Sequence, residues 1–247
     1  MTRLILTALV SCSLLVACGE NEVNKLSTTP QNLLETSNAN PWSATPSTTT
    51  PVGNFEGEIV VEVKSAGQKV PASVTFDVRG DKVRYEPAAT GVRAVYDQGA
   101  QHAYAISDSK KAYADIDMKA RAENDKAPRI RLERSTKEET VAGLRCEDWT
   151  IDDGNEKADV CAAKGIAFFD PAGNATPGDA APSWARAMTM QKAFPLRVVV
   201  HDRSGKEEYR AEAFEVRWQK VDDSAFQVPA GFRKADLTPD LKMASLP

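Results

Sequence analysis

The chain has little histidine, little cysteine and no long apolar run, and each shortage removes a class of function. Only His102 and His201 occur among 247 residues. Neither has a Cys or His at ligand spacing and no CxxC is present, so a metal site has no frame. His102 shares a strand face with Tyr104 and Ile106 and reads as a satisfied, half-buried histidine. Ser109 and Ser204 lie in turns without a G-x-S-x-G context, and no nucleophile–base pair stands out, so neither an enzyme nor a cofactor is indicated. Asp115 and Asp117 are paired on one side of a strand, a pattern that can serve acid–base chemistry but reads near a strand end as a wet face. Lys and Arg number 31 against 35 Asp and Glu, a formal net charge of −4, which excludes a basic nucleic-acid footprint. No repeat of fixed period occurs.

The N-terminal apolar stretch is too short and interrupted to span a bilayer. Arg3 precedes Leu4–Val10 and Leu14–Val16, which reads as a secretory signal over residues 1–17. Its end, Leu15-Val16-Ala17-Cys18, resembles the bacterial lipobox, in which the thiolate of the cysteine accepts a diacylglycerol. A secreted protein with a chance cysteine is the alternative. Gly19, not Asp, follows Cys18. The resemblance therefore implies a lipid anchor at the periplasmic side of the outer membrane. Residues 18–52 are rich in Ser, Thr, Asn and Pro and read as a disordered tether, with Trp42 alone in it.

A folded domain is expected over 53–235, followed by a short tail over 236–247. Phe55–Val63 alternates apolar with charged residues, the period of a half-buried strand. Val74–Val78, Val83–Tyr85, Val92–Tyr96, His102–Ile106 and Ala112–Ile116 repeat the pattern between turns such as Gly80-Asp81, which predicts an antiparallel meander. Met118–Asn124 reads as a short helix or a loop. Residues 169–182, rich in Gly and Pro, read as a surface loop. Ser183–Ala193 is the best helix, with Trp184, Ala187 and Met188 on one side and Asp179 or Ser183 as cap. Phe214, Val216 and Trp218 alternate in a long last strand. Phe226–Phe232 closes the domain as an extended tail.

Glu139–Cys161 reads as a stapled hairpin. Asp153-Gly154 is a two-residue turn signal. Cys146 and Cys161 are equidistant from it and would sit directly opposite each other, within disulfide range. With Cys12 in the signal and Cys18 at the anchor, they are the remaining pair; two free thiols are the alternative. Trp149, Ile151, Ala158 and Val160 form the apolar face, which leaves the cysteines on the wetter one. Asp152–Glu156 carries the oxygens of a calcium loop, but Gly154 comes too early and Lys157 intrudes, so it reads as a solvated turn.

Phe55–Val63, Gly80–Arg84, Tyr96-Asp97, Lys110–Tyr113, Glu139–Trp149, Phe194–Arg197 and Phe226–Phe232 together resemble an uncharacterised family of bacterial envelope domains, one of the numbered families of unknown function. Those domains are similar to the lipoprotein-carrier (Lol-type) half-barrel. The resemblance implies an α+β fold: a curved antiparallel sheet with one or two helices covering its concave face. Related half-barrels hold acyl chains between sheet and helix. Here only one segment is convincingly helical, and no Met-rich helix pair advertises a pocket. Trp149, Trp184, Met188, Phe214 and Trp218 are the candidates to line an apolar cleft for a lipid or acyl ligand. The same aromatic residues equally make a filled core. That second reading is an interaction module for another envelope protein.

Overall fold

The computed structural model describes residues 55–88, 90–116, 118, 130–171 and 181–237. The signal, Cys18, the tether with Trp42, Asp117, Asp179 and residues 238–247 lie outside them. So does the stretch from 119 to 129; Met118 alone is described there, and it is helical.

Two meanders make one sheet. The first runs through β1 (Glu56–Ser65), β2 (Ala72–Arg79), β3 (Lys82–Pro87), β4 (Val92–Asp97), β5 (His102–Ser107) and β6 (Ala112–Ile116). The second runs through β7 (Arg131–Val141), β8 (Leu144–Asp152), β9 (Lys157–Lys164), the helix α1 (Ser183–Gln191), β10 (Ala193–His201) and β11 (Glu207–Trp218). β1 and β11 pair and join the two, while the short β12 (Arg233–Lys234) lies parallel to β6 at the edge. The sheet is open and curved: β7 curls back to within 8 Å of β11, Cα to Cα, without pairing.

Strand alternation sets the core. Ile59, Val61 and Val63 of β1 are buried, with Glu62 and Lys64 exposed between and beyond them. Ile59 opposes Phe76, and Val61 opposes Val74. Each fully buried aliphatic side chain of this kind stabilises the fold by about 1.5–3 kcal/mol. Gly80, at φ 57°, makes the tight turn between β2 and β3, a left-handed conformation that costs glycine nothing.

Three departures from a plain meander bear on the site. The β8–β9 loop has four residues, Asp153–Glu156, since Asp152 pairs with Lys157. The Asp152 carboxylate accepts from the amide of Gly154 (2.7 Å) and that of Asp153 from the amides of Asn155 (2.8 Å) and Glu156 (3.1 Å). These side-chain bonds stabilise a wider loop than the two-residue turn expected from Asp-Gly. Register therefore moves by two. Asp148 opposes Cys161, and Cys146 opposes Glu139 of β7. The disulfide forms nonetheless, on the diagonal, with Cα atoms 5.3 Å apart.

Second, β11 carries a bulge. Ala213 pairs with Val61 and Glu215 with Val60, which leaves Phe214 as the extra residue. Tyr209, Ala211 and Ala213 face the core, and the bulge switches the phase so that Val216 returns to it.

Third, the segment after Trp218 is a strap. It crosses the outer face, where Val221 and Phe226 form a second small core with Val95, Tyr104 and Ile106. The Tyr104 hydroxyl donates to the Phe226 carbonyl, and Arg79 donates to the Val221 carbonyl (2.8 Å) and pairs with Asp223. Leu237 then enters the main core, fully buried.

Candidate functional site beneath the helix

α1 packs across β8, β9 and β10. Its sequence, SWARAMTMQ, puts Trp184, Ala185, Ala187 and Met188 on the buried side, as its periodicity predicts. Its first turn has no side-chain cap of its own; Pro182 occupies the N-cap position. The cap comes from the β8–β9 loop instead. The Ser183 hydroxyl donates to the Asp153 carboxylate and the Ser183 amide to that of Glu156. The expected solvated turn is thus a docking post for the helix, although Gly154 and Asn155 are exposed. Burial opposes the Asp153 charge, but the Ser183 hydroxyl and the loop amides outweigh it and hold its pKa below the usual carboxylate value. Burial, reinforced by Asp153, pushes Glu156 up. At the other end Lys192 takes the left-handed C-cap, at φ 50°. Arg134 of β7 bonds Gln191 and lies over the Trp149 ring, 4.7 Å from its centroid.

Beneath α1 the rings form a connected set. Trp184 stacks on Tyr209 at 5.8 Å and touches Phe168 at 6.1 Å. Phe168 meets Phe194 edge-on at 5.6 Å, Phe194 meets Phe76 at 5.0 Å, and Phe76 meets Tyr85 at 5.4 Å. Asp170, 3% exposed, lies within this apolar interior. Burial, then the charge of Asp170, raises the pKa of both Tyr85 and Tyr209. Tyr209 is 8% exposed and its hydroxyl has no hydrogen-bond partner. Ser65, its direct partner across β1, has its Oγ buried and unpaired as well. Unmade hydrogen bonds inside a core are costly, so two at paired strand positions mark a region short of polar partners.

The structure brings together only part of the expected cleft. Trp184 and Met188 are buried beneath α1, and Trp149 is buried in the same core on β8. Phe214 and Trp218 do not join them. The bulge turns Phe214 out to 59% exposure, and Trp218, 47% exposed, lies at the sheet end against Phe55, 4.8 Å ring to ring. Sequence reasoning missed Phe168, Phe169 and Asp170, placing the last two in a surface loop. All three are buried. The apolar run Ile166–Phe169 was the available signal. Tyr209 and Phe194 were missed too, the first because the bulge hides the phase of β11.

The disulfide lies on the face of Asp148, as alternation predicts, yet both cysteines are buried. A cluster of charges encloses it. Glu139 pairs with Lys137 (2.7 Å) and Arg197 (2.6 Å), and Asp148 with Lys137 (3.3 Å). Glu139, Asp148 and Cys161 are the one grouping of metal-type side chains among the described residues. Its sulfur is committed to the disulfide and its carboxylates to cations, which is poor ligand chemistry. Elsewhere, His102 is exposed rather than half-buried, 3.3 Å from Asp115. His201 lies 3.8 Å from Asp159 in an open polar cleft of about 540 Å³ between two hairpin ends. A second polar cleft, of about 440 Å³, lies between the strap and the outward side chains of Asp77, Arg84 and Arg93.

No curated protein matches the sequence. Among solved structures, the chain is similar to one described as PNGF-II, at 11% identity and a TM-score of 0.48 over 76% of this chain and 33% of that one. The chain thus spans about a third of that protein's length. It is also similar to an uncharacterised conserved protein of Thermus thermophilus (10% identity, TM-score 0.43, 73% of this chain and 90% of that one). A further similar structure is a putative outer membrane lipoprotein-sorting protein domain of Vibrio parahaemolyticus (13% identity, TM-score 0.35, 72% and 90%). One family model matches residues 55–232, and the chain belongs to that family, Domain of unknown function (DUF4412).

Proposed function

We propose that the protein is a lipoprotein held through Cys18 at the periplasmic side of the outer membrane, and that its domain binds a ligand with an apolar body beneath α1 without catalysing a reaction. The anchor rests on the signal and lipobox pattern, and the oxidised Cys146–Cys161 pair suits an oxidising compartment. The observation that carries the ligand is the Tyr209 hydroxyl: its oxygen is buried and unpaired, and its ring stacks on Trp184 of α1. A packed core seldom retains such a group, and a bound ligand would give it an acceptor.

The contacts among Phe76, Phe168, Phe194 and Trp184 favour a second reading, an interaction module with a filled core. One experiment separates them. The full chain carrying Cys18→Ser is expected to leave the membrane fraction and to bind a fluorescent acyl probe. A disulfide engineered to lock α1 to β10 is expected to abolish that binding. Probe binding that survives the lock, or no binding in the unlocked chain, overturns the ligand reading in favour of the module. Retention of Cys18→Ser in the membrane overturns the anchor.

A further inference from the structure

We infer that the cleft between the strap and the outer face of the sheet binds a phosphate group, held by Arg84 and Arg93 from the sheet and by Lys220 and Ser224 from the strap. The site lies on the face away from α1, so it stands whether or not a ligand binds beneath the helix. The cleft holds about 440 Å³, and all four side chains line it. Register fixes its floor. Asp77 opposes Arg84 across β2 and β3, Arg84 opposes Val95 of β4, and Arg93 lies two residues before Val95 on the same face. The strap fixes its wall. The Val221 amide donates to the Glu56 carboxylate and the Val221 carbonyl accepts from Arg79, both at 2.8 Å, so Lys220 and Asp222 flank a pinned residue.

Donors exceed acceptors there. Arg84 gives one terminal nitrogen to Asp77 (3.1 Å) and the other to Glu86, while its Nε is buried with no hydrogen-bond partner. Arg93 gives one nitrogen to Asp108. Lys220 forms no ion pair among the described residues. The guanidinium groups are sunk and their acidic partners stand at the rim: the Arg93 side chain is 14% exposed and that of Asp108 59%, and Glu86 is likewise more exposed than Arg84. Those rim carboxylates can turn to water when another anion reaches the floor. Inside the cleft the carboxylates are Asp77, already paired with Arg84, and Asp222, against three cations. One guanidinium fork satisfies a carboxylate ligand. A phosphate presents three oxygens in different directions, and it takes donors from both walls at once: two guanidinium groups, an ammonium and a hydroxyl. The buried Arg84 Nε–H, costly while it lacks an acceptor, gains one.

The test uses the full chain carrying Cys18→Ser, titrated with inorganic phosphate by calorimetry at neutral pH and fixed ionic strength. Phosphate is expected to bind saturably at one site and to slow hydrogen exchange of the strap amides of Val221 and Ala225. Arg93→Gln, on the floor, is expected to weaken binding about tenfold. Lys220→Gln, on the wall, is expected to weaken it about threefold. Lys220 is exposed, so its replacement leaves the fold intact and decides the matter even if Arg93→Gln does not fold. Vesicles of phosphatidylglycerol are the second arm. Cosedimentation that inorganic phosphate competes away and Lys220→Gln weakens assigns the phosphate to a lipid headgroup. Binding of free phosphate without cosedimentation assigns it to a small soluble molecule. No binding in either arm, or binding indifferent to Lys220→Gln, overturns the inference and leaves the reading beneath α1 untouched.

Discussion

Two tyrosine-to-phenylalanine substitutions in this sheet are expected to have opposite signs. Tyr209 has a buried hydroxyl with no partner, and its ring stacks on Trp184. Tyr209→Phe keeps the ring and its stacking and deletes only the orphan oxygen. An unsatisfied buried polar group costs about 1–3 kcal/mol, so its removal is expected to stabilise the unliganded domain by about 1–2 kcal/mol. For a domain of this size each kcal/mol raises Tm by about 2–4 °C. Tyr104 is the control. Its hydroxyl donates to the Phe226 carbonyl and ties the strap to the outer face. Tyr104→Phe removes a made bond and strands a carbonyl, a loss of about 1–2 kcal/mol. Urea unfolding of the two variants and the parent, followed by tryptophan fluorescence, measures both. The reasoning is refuted by a Tyr209→Phe variant less stable than the parent, or by two shifts of the same sign.

Other outcomes follow from the charged groups. Hydrogen bonds from Lys137 and then Arg197 hold the Glu139 carboxyl down at about 2, against 4.5 when unpaired. Its contribution is present above pH 4.5 and is lost as pH falls from there toward about 2. Glu139→Gln is expected to flatten the acid limb of the stability curve in that window; an unchanged limb in urea titrations across it contradicts the pairing. Asp153→Ala removes the acceptor of the Ser183 hydroxyl at the start of α1 and is expected to cost about 1 kcal/mol, read as faster hydrogen exchange of the α1 amides with the β1–β6 amides unchanged. Uniform acceleration everywhere would show that the loop does not act on the helix. At the alkaline end, burial and Asp170 raise the pKa of Tyr85 and Tyr209 above the ordinary 10.0. The unfolded chain ionises first, so stability falls as pH climbs past 10.0, and tyrosinate absorbance from these two rings should rise in step with unfolding. Ionisation ahead of unfolding would contradict their burial.

Much of the fold was legible because it is local. Strict alternation from Phe55 to Ile116 gives six strands in order, and Gly80 marks a turn that its positive φ requires. The α1 face was legible from Trp184, Ala187 and Met188. The disulfide was found through a wrong register: the Asp-Gly signal placed the cysteines opposite, the loop moved them by two, and the diagonal still bridges. What alternation cannot show is a change of its own phase. The bulge at Phe214 turns a residue assigned to the cleft into an exposed one and conceals Tyr209 earlier in the same strand. Composition misled at Phe169-Asp170, where Gly and Pro further along suggested a surface loop. The strap was read as a tail because its partners, Arg79 and Tyr104, lie far away in sequence.

The pairing of β1 with β11 also imposes an order on synthesis. The first six strands can assemble as soon as they emerge, but β1 then presents Ile59, Val61 and Val63 along an open edge. Its partner begins only at Glu207, after β7 to β10 and α1 have been made. The strap that covers Val95, Tyr104 and Ile106 comes later still. A growing chain therefore carries a sticky apolar margin and a bare outer patch until nearly its last residues, the state in which unpaired strands recruit other chains.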